Sequence, residues 1–143
     1  MKPNIRQATT ADAAKLKALD TIVPIDPKRA ESIDQWLHND QVLVAEIEGR
    51  VVGYGVFNHA FFHQGQAEML MVHADYRGNR IGEHILRGLE ELCDTSKFYV
   101  TTNLSNHRMQ RVLSRLGYRP AGYIHELDPD DPEMVFVRDI DRT

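Results

Sequence analysis

The run Glu68-Met69-Leu70-Met71-Val72-His73-Ala74-Asp75-Tyr76-Arg77-Gly78-Asn79-Arg80-Ile81-Gly82 joins two unlike patterns. Its first five residues form a short, almost unbroken apolar stretch, which at that length suits a buried strand better than a helix. Beyond it, Ile81, Ile85, Leu89 and Leu92 recur at helical spacing with Leu86 and Cys93 beside them. Glu83, His84, Arg87, Glu90, Glu91 and Asp94 take the other faces, so the pattern predicts an amphipathic helix. Between strand and helix lies a tight, basic, glycine-containing turn.

That order of parts makes an anion site. The first turn of a helix has N–H groups without intrahelical partners, and its aligned peptide dipoles place about half a positive charge there. Gly78 and Gly82 let a ligand come close to the backbone, and Arg77 and Arg80 add full charges. Two phosphate-binding patterns fail on inspection. A P-loop needs Lys and then Ser or Thr after its last glycine, whereas Glu83 follows Gly82. The dinucleotide fingerprint needs Gly-x-Gly-x-x-Gly, and position 80 is Arg.

The stretch resembles the acyl-CoA signature of the GNAT N-acyltransferase superfamily, Gln/Arg-x-x-Gly-x-Gly/Ala at a strand-to-helix turn. Arg77 fits its first position and Gly82 its last, while Arg80 stands where the family usually has glycine. The resemblance implies that Arg77, Gly78, Asn79, Arg80, Ile81 and Gly82 hold the CoA pyrophosphate. It also implies that the main chain of Met71 and Val72 meets the pantetheine arm, with one strand N–H aimed at the thioester carbonyl. A donor placed where an oxyanion develops is commonly the largest single catalytic contribution.

The rest of the chain supplies an order of elements that the same family shares. Ile5 to Ala8 reads as a first strand, and Thr9 and Thr10 cap a helix over Ala11 to Leu19 with Ala13, Leu16 and Leu19 inward. Thr21 to Ile25 is a loop. Asp26 caps a second helix with Pro27 in its first position, and that helix carries Ile33, Trp36 and Leu37. Val42 to Ile47 and Val51 to Phe57 form a hairpin across Glu48-Gly49-Arg50. His59 to Gly65 is expected to be a loop leading into the strand that ends at Val72. Phe98 to Thr102 reads as a further strand, Ser105 as the cap of a helix with Met109, Val112, Leu113 and Leu116 inward, and Gly117 as its stop. Tyr118 to Leu127 and Met134 to Val137 close a final hairpin. The expected fold is therefore α/β of the GNAT type: a mixed, largely antiparallel sheet of about six to seven strands with four helices. Residues 1–143 are expected to form a single N-acetyltransferase domain, since 42% hydrophobic content over that length supports one ordinary core.

Composition narrows the partners. A net charge of −4 argues against nucleic acid as the main partner and suits a cationic small molecule or peptide amine. The single Cys93 makes no internal disulfide, the N-terminal residues show no apolar signal core, and no run is long enough to span a membrane. A cytoplasmic protein is expected, and a homodimer is compatible with the sequence.

Glu68 is the candidate catalytic residue. A carboxylate in an otherwise apolar strand is costly to bury unpaired, and in the resembled family this position sometimes relays the acceptor's proton through water. The competing reading is a solvent-facing rim carboxylate. Asn106 matches an Asn that the family often sets against the CoA arm, although Asn is also ordinary helix-start chemistry. Seven residues later the family usually has a Tyr that protonates the departing thiolate, and here Leu113 stands there, with Ser114 pointing off the apolar face. A thiol of pKa about 8.5 leaves tolerably as an anion, so that acid is helpful and not obligatory. Arg108, Arg111 and Arg115 form a basic stripe, read as a solvated face. His59 and His63 lack the further ligands a metal needs, so no metal is expected. The acidic run Asp128-Pro129-Asp130-Asp131-Pro132-Glu133 reads as a turn that would also attract a cation.

The expected activity is transfer of an acetyl group from acetyl-CoA to a primary amine by direct attack in a ternary complex. The main rival is an acyl-CoA sensor of the same fold with weak or no catalysis, which Leu113 and Arg80 keep open. An enzyme acting on tRNA-linked or ribosomal amines and an unrelated nucleotide enzyme are more distant alternatives.

Overall fold

The computed structural model describes residues 2–140. Seven strands and four α-helices run in the expected order: β1 (Asn4–Gln7), α1 (Ala13–Leu19), α2 (Pro27–Asn39), β2 (Gln41–Ile47), β3 (Arg50–Phe61), β4 (Gln64–Val72), α3 (Ile81–Leu92), β5 (Lys97–Asn103), α4 (His107–Arg115), β6 (Arg119–Ile124) and β7 (Glu133–Asp139). The strands hydrogen-bond in the order β1-β2-β3-β4-β5-β7-β6. β1–β2, β2–β3, β5–β7 and β6–β7 are antiparallel, and β4–β5 is parallel. The mixed, largely antiparallel sheet with four helices is thus as the sequence predicts. No helix among the described residues is long and apolar enough to cross a membrane.

The chain forms two compact units. The first comprises the residues up to Asn58 together with Glu68–Leu92. Its entry is a capping box, in which Thr9 and Asp12 satisfy each other's backbone, followed by a 3-10 turn at Thr10–Asp12 ahead of α1. The helix expected from Ala11 therefore starts two residues later. Asp26 caps α2 through Lys28 N–H with Pro27 behind it, as expected. Leu16, Leu19 and Ile33 of α1 and α2 close on Val42, Val44, Tyr54 and Val56, with Met69 and Met71 of β4 against the same cluster. Against β3, α3 packs close. A methyl group on Gly55 would stand 2.5 Å from Ile85 Cγ2 and 3.0 Å from Leu89 Cδ1, so only glycine admits the helix at this distance. Ile81, Ile85, Leu86 and Leu89 are buried as the spacing requires. Glu90, expected to face solvent, is also buried, because Arg87 one turn earlier meets both its carboxylate oxygens at 2.9 and 3.0 Å.

The second unit comprises His59–Ala67 and the chain from Cys93 onward. The expected loop from His59 to Gly65 is not a loop: β3 runs on to Phe61 and β4 starts at Gln64. Phe62 and His63 reverse the chain between them with φ of 54° and 66°. Such a turn ordinarily announces itself through Gly or Asn, so the sequence gives no sign of it. Phe61 packs on Tyr99 with ring centroids 4.8 Å apart. The parallel ladder joins Gly65 to Phe98, Gln66 to Tyr99 and Ala67 to Val100. Phe98, Val100, Leu113, Leu116, Tyr118, Phe136 and Val137 are buried in this unit. Cys93, placed within the helix by the sequence reading, lies just past the end of α3 and is fully buried. Asn106, not Ser105, is the N-cap of α4. Its side chain accepts from Met109 N–H, while the Ser105 hydroxyl and N–H go to the Asp131 carboxylate at 2.7 and 3.0 Å.

Candidate functional site

The turn after β4 is built from local bonds. His73 starts a 3-10 turn at Ala74–Tyr76, Asn79 donates through Nδ2 to the Tyr76 carbonyl at 3.1 Å, and Gly78 and Arg80 take φ of 86° and 60°. The first bond of α3 runs from His84 N–H to the Arg80 carbonyl at 3.2 Å. The N–H groups of Ile81 and Gly82 therefore precede the helical ladder. Arginine has no acceptor atom with which to cap them, and Asn79 is turned to Tyr76. The result is a helix start at which Ile81 is buried and Gly82 half-buried, flanked by Arg77 and Arg80 on the surface. A methyl group on Gly82 would meet Val72 Cγ2 at 3.7 Å and Leu70 Cδ2 at 3.8 Å, ordinary contacts that admit alanine. Arg80 holds the left-handed conformation that glycine adopts freely, at a cost on the order of 1–2 kcal/mol.

Successive peptide groups of a strand face opposite edges. His73 N–H bonds the Val52 carbonyl on β3 at 2.8 Å, so Met71, two residues back, turns its main chain to β3 as well. Val72 faces the other edge, where its carbonyl accepts from Arg77 Nε at 3.2 Å. The structure thus separates two residues that the sequence treats alike: Val72 offers its amide to the open edge, and the Met71 main chain is turned away from it. The Met71 side chain points to the loop after α1, its sulfur 3.9 Å from Thr21 Oγ1.

Glu68 is exposed, and the desolvation cost that the sequence raised does not arise. Asn58 Nδ2 stands 3.5 Å from its Oε1 and 3.4 Å from Asp40 Oδ2, at the outer limit of hydrogen bonding. The carboxylate is therefore weakly held and open to water.

The loop after α1 hangs on Asp20, which the sequence did not single out. Its side chain is 0% exposed and accepts from Tyr54 OH at 2.6 Å, Arg29 Nη1 at 3.0 Å, and the N–H groups of Ile22 and Val23 at 2.8 and 3.2 Å. Burial first, and then the bond to Asp20, pushes the Tyr54 hydroxyl far above its ordinary pKa. Arg29 also lies 5.9 Å over the Trp36 ring and 3.7 Å from Met69 Sδ. Apart from the turn that Asp20 makes with Ile22 and Val23, no local pattern marks these residues, because Tyr54 and Arg29 are remote in sequence.

In the second unit Asn106 is exposed, with its Oδ1 held by Met109 N–H at 3.1 Å. Leu113 is 0% exposed, so the position that usually carries a tyrosine faces the core. Ser114, Arg108, Arg111 and Arg115 lie on the surface. His59 pairs with Asp94 at 2.6 Å, and among the described residues no cluster of His, Cys, Asp and Glu could hold a metal. The acidic turn frames a cavity of about 350 Å³ lined by His125, Glu126, Asp128, Asp130 and Asp131.

Residues 11–118 match the acetyltransferase (GNAT) family model. A Bacillus subtilis protein named "Putative [ribosomal protein bS18]-alanine N-acetyltransferase" is 30% identical over 99 residues, covering 66% of this chain and 64% of that protein, so the match spans somewhat under two thirds of the relative's length. A GNAT-family acetyltransferase of Bacillus cereus superposes with a TM-score of 0.91 at 22% identity over 99% of this chain and 100% of its own. A Salmonella typhimurium protein solved with its cofactor acetyl-CoA superposes with a TM-score of 0.78 at 18% identity, over 100% and 96% of the two chains. The turn into α3 behind β4 and the family match over three quarters of the length agree, and this chain belongs to the GNAT acetyltransferase family.

Proposed function

We propose that this chain transfers an acetyl group from acetyl-CoA to a primary amine of a small molecule or peptide, by direct attack within a ternary complex. The observation that carries this reading is the left-handed turn at Gly78 and Arg80 into α3, where the Ile81 and Gly82 amides precede the helical ladder beside Arg77 and Arg80. A diphosphate satisfies those donors and both charges at once. Gly78 and Asn79 shape the turn that presents them.

Val72 supplies the main-chain N–H for the thioester oxygen, a role that the Met71 amide cannot share. Glu68, open to water, accepts the ammonium proton of the acceptor through a water molecule. The free amine attacks the thioester carbon, the C–N bond forms, the nitrogen releases its extra proton to water, and the tetrahedral oxyanion collapses with C–S cleavage, so that CoA departs as a thiolate that solvent can protonate without a dedicated acid. Buried Leu113 supplies none, and a thiol of pKa about 8.5 needs none to leave at an adequate rate. Cys93 is sealed in the interior, which favours direct attack over an acyl-enzyme. The acidic turn at Asp128–Asp131 draws a cationic acceptor toward the protein, and the compartment proposed for the reaction is the cytoplasm.

The test is acetyl-CoA turnover, read by thiol release, across polyamines, amino acids, aminoglycosides and peptides with a free N-terminal alanine. The last arm follows the similarity to the Bacillus subtilis protein. Turnover with one amine class, abolished in Glu68→Gln while CoA still binds, supports the reading. Tight acetyl-CoA binding with no turnover on any arm would instead identify an acyl-CoA sensor, the outcome that the missing tyrosine keeps open.

A further inference from the structure

A second cavity, of about 400 Å³, opens in the first unit between α1, the β2–β3 turn and the residue that follows β4. Ala18, Leu19 and Val51 give it apolar wall, and Lys15, Arg50 and His73 give it three basic side chains with no acidic residue in the lining. That is a marked local excess in a chain of net charge −4. None of Arg77, Arg80, Ile81 or Gly82 lines it, so it is not the helix start described above.

The hydrogen bonding around His73 is incomplete as it stands. Nδ1 receives Asp75 N–H at 3.1 Å, and Nε2 stands 3.2 Å from Arg50 Nη2. Arginine only donates, and a neutral imidazole has one acceptor nitrogen. If Nδ1 accepts from Asp75, the ring proton sits on Nε2 and faces the guanidinium donor. If the proton moves to Nδ1, it faces the Asp75 amide, and a doubly protonated ring opposes both. The Asp75 carboxylate, 3.9 Å from Nδ1, is on the other side of the ring and does not relieve the Arg50 contact. Every protonation state leaves a donor pointed at a donor, and an acceptor beside the pair that takes both the Arg50 guanidinium and Nε2–H removes the conflict.

We propose that this cavity binds a small organic oxyanion, a carboxylate or phosphate head on a short aliphatic body. The head accepts from Arg50 and from His73 Nε2–H with Lys15 adding charge, and the body lies against Ala18, Leu19 and Val51. The volume is many times the roughly 30 Å³ share of one water, so a lone solvent molecule does not fill it. The inference is independent of acyl transfer and holds for an enzyme or a sensor. Its position gives it a route to the CoA turn, because the Arg50 guanidinium carbon lies 5.5 Å over the ring of Tyr76, the residue before Arg77.

The test is titration of the full chain with butyrate, butyl phosphate, inorganic phosphate, butanol and butylamine, followed through backbone amide shifts in two-dimensional NMR. Saturable millimolar binding of butyrate or butyl phosphate, with shifts centred on Arg50, Val51 and His73, is expected. The stronger of the two identifies the head group. Butanol and butylamine should bind at least about ten-fold more weakly, since a charge-assisted contact is lost. Arg50→Gln and Lys15→Gln should each weaken the anion to a similar extent. Equal binding of butanol would reduce the cavity to an apolar hole, absence of saturable binding would remove the site, and full displacement by CoA would assign the lining to the CoA site; each overturns the proposal. The comparison of butyrate with butanol on the unaltered chain decides the matter even if a variant folds poorly.

Discussion

Replacing Asp20 by alanine is predicted to be among the most damaging single changes in the first unit. The carboxylate is fully buried and satisfies four donors: the Tyr54 hydroxyl, the Arg29 guanidinium, and the Ile22 and Val23 amides. Its removal leaves a guanidinium that is only 19% exposed facing a hydroxyl, with two amides unpaired. Breaking one side of a buried ion pair costs about 3–5 kcal/mol, and the Trp36 stacking that Arg29 retains places this case toward the lower end. For a chain of this length each kcal/mol moves Tm by roughly 3–5 °C, so a fall of about 10–15 °C is expected. Asp20→Asn keeps an acceptor for Tyr54 and loses the charge, for about 1–2 kcal/mol. Tyr54→Phe removes one of four donors and should cost about 1 kcal/mol. The assay is urea unfolding of the three variants and the Asp20→Ala/Tyr54→Phe double variant, with m-values compared to verify a common transition. A loss below about 1 kcal/mol for Asp20→Ala, or one no larger than that of Tyr54→Phe, would refute the account of the loop after α1.

Four further outcomes follow from single positions. The Arg6 hydrogen bond is the main cause that lowers Asp12 from 3.8 to about 2, so its stabilisation is complete above pH 4 and is lost as pH falls toward 2. This is on the order of 2 kcal/mol, and Asp12→Asn should flatten acid unfolding across that window alone. Gly55→Ala forces Ile85 and Leu89 away from a methyl at 2.5 and 3.0 Å, for about 1–3 kcal/mol in urea unfolding. Gly82→Ala meets only ordinary contacts and should leave stability unchanged or raise it by up to about 1 kcal/mol with CoA affinity intact. Glu68→Gln should lower kcat by roughly 100 to 10,000-fold with CoA affinity unchanged, and a rate within three-fold of the parent would remove its role as base.

What the sequence made legible was whatever the chain settles locally. Ile81, Ile85 and Leu89 declare one helical face, Asp26 with Pro27 declares a helix start, and the turn from Arg77 to Gly82 is closed by bonds among near neighbours. The errors arise where a local signal is missing or a remote partner decides. Glu90 is buried because Arg87 pairs with it, a matter of one turn, and the reversal at Phe62 and His63 forms without the residues that normally mark it. Asp20, Arg29 and Tyr54 are tied across as many as 34 residues, beyond any local pattern. Within the candidate site the same division holds. The start of α3 at Ile81 could be read from spacing, but the exposure of Glu68, the burial of Leu113 and the opposite edges taken by Met71 and Val72 depend on strand register and packing.

Arg80 shows how a departure from a pattern can be turned into a test. Six described residues other than glycine have positive φ, and five of them sit in strand-to-strand turns at Glu48, Phe62, His63, Glu126 and Asp130. Arg80 alone among them holds that conformation at a helix start. The left-handed backbone costs about 1–2 kcal/mol for a side chain, and glycine would return roughly half of that through its own greater unfolded-state entropy. Arg80→Gly should therefore stabilise the chain by about 0.5–1 kcal/mol, a Tm rise of roughly 2–4 °C. If the guanidinium serves the CoA phosphates, the same change weakens CoA by about ten-fold and makes the salt dependence of binding shallower. Stability and affinity then move in opposite directions, as expected where strain is kept for a ligand. A variant that gains both would show that the charge does nothing for CoA, and the amides of Ile81 and Gly82 would have to hold the diphosphate with Arg77 alone.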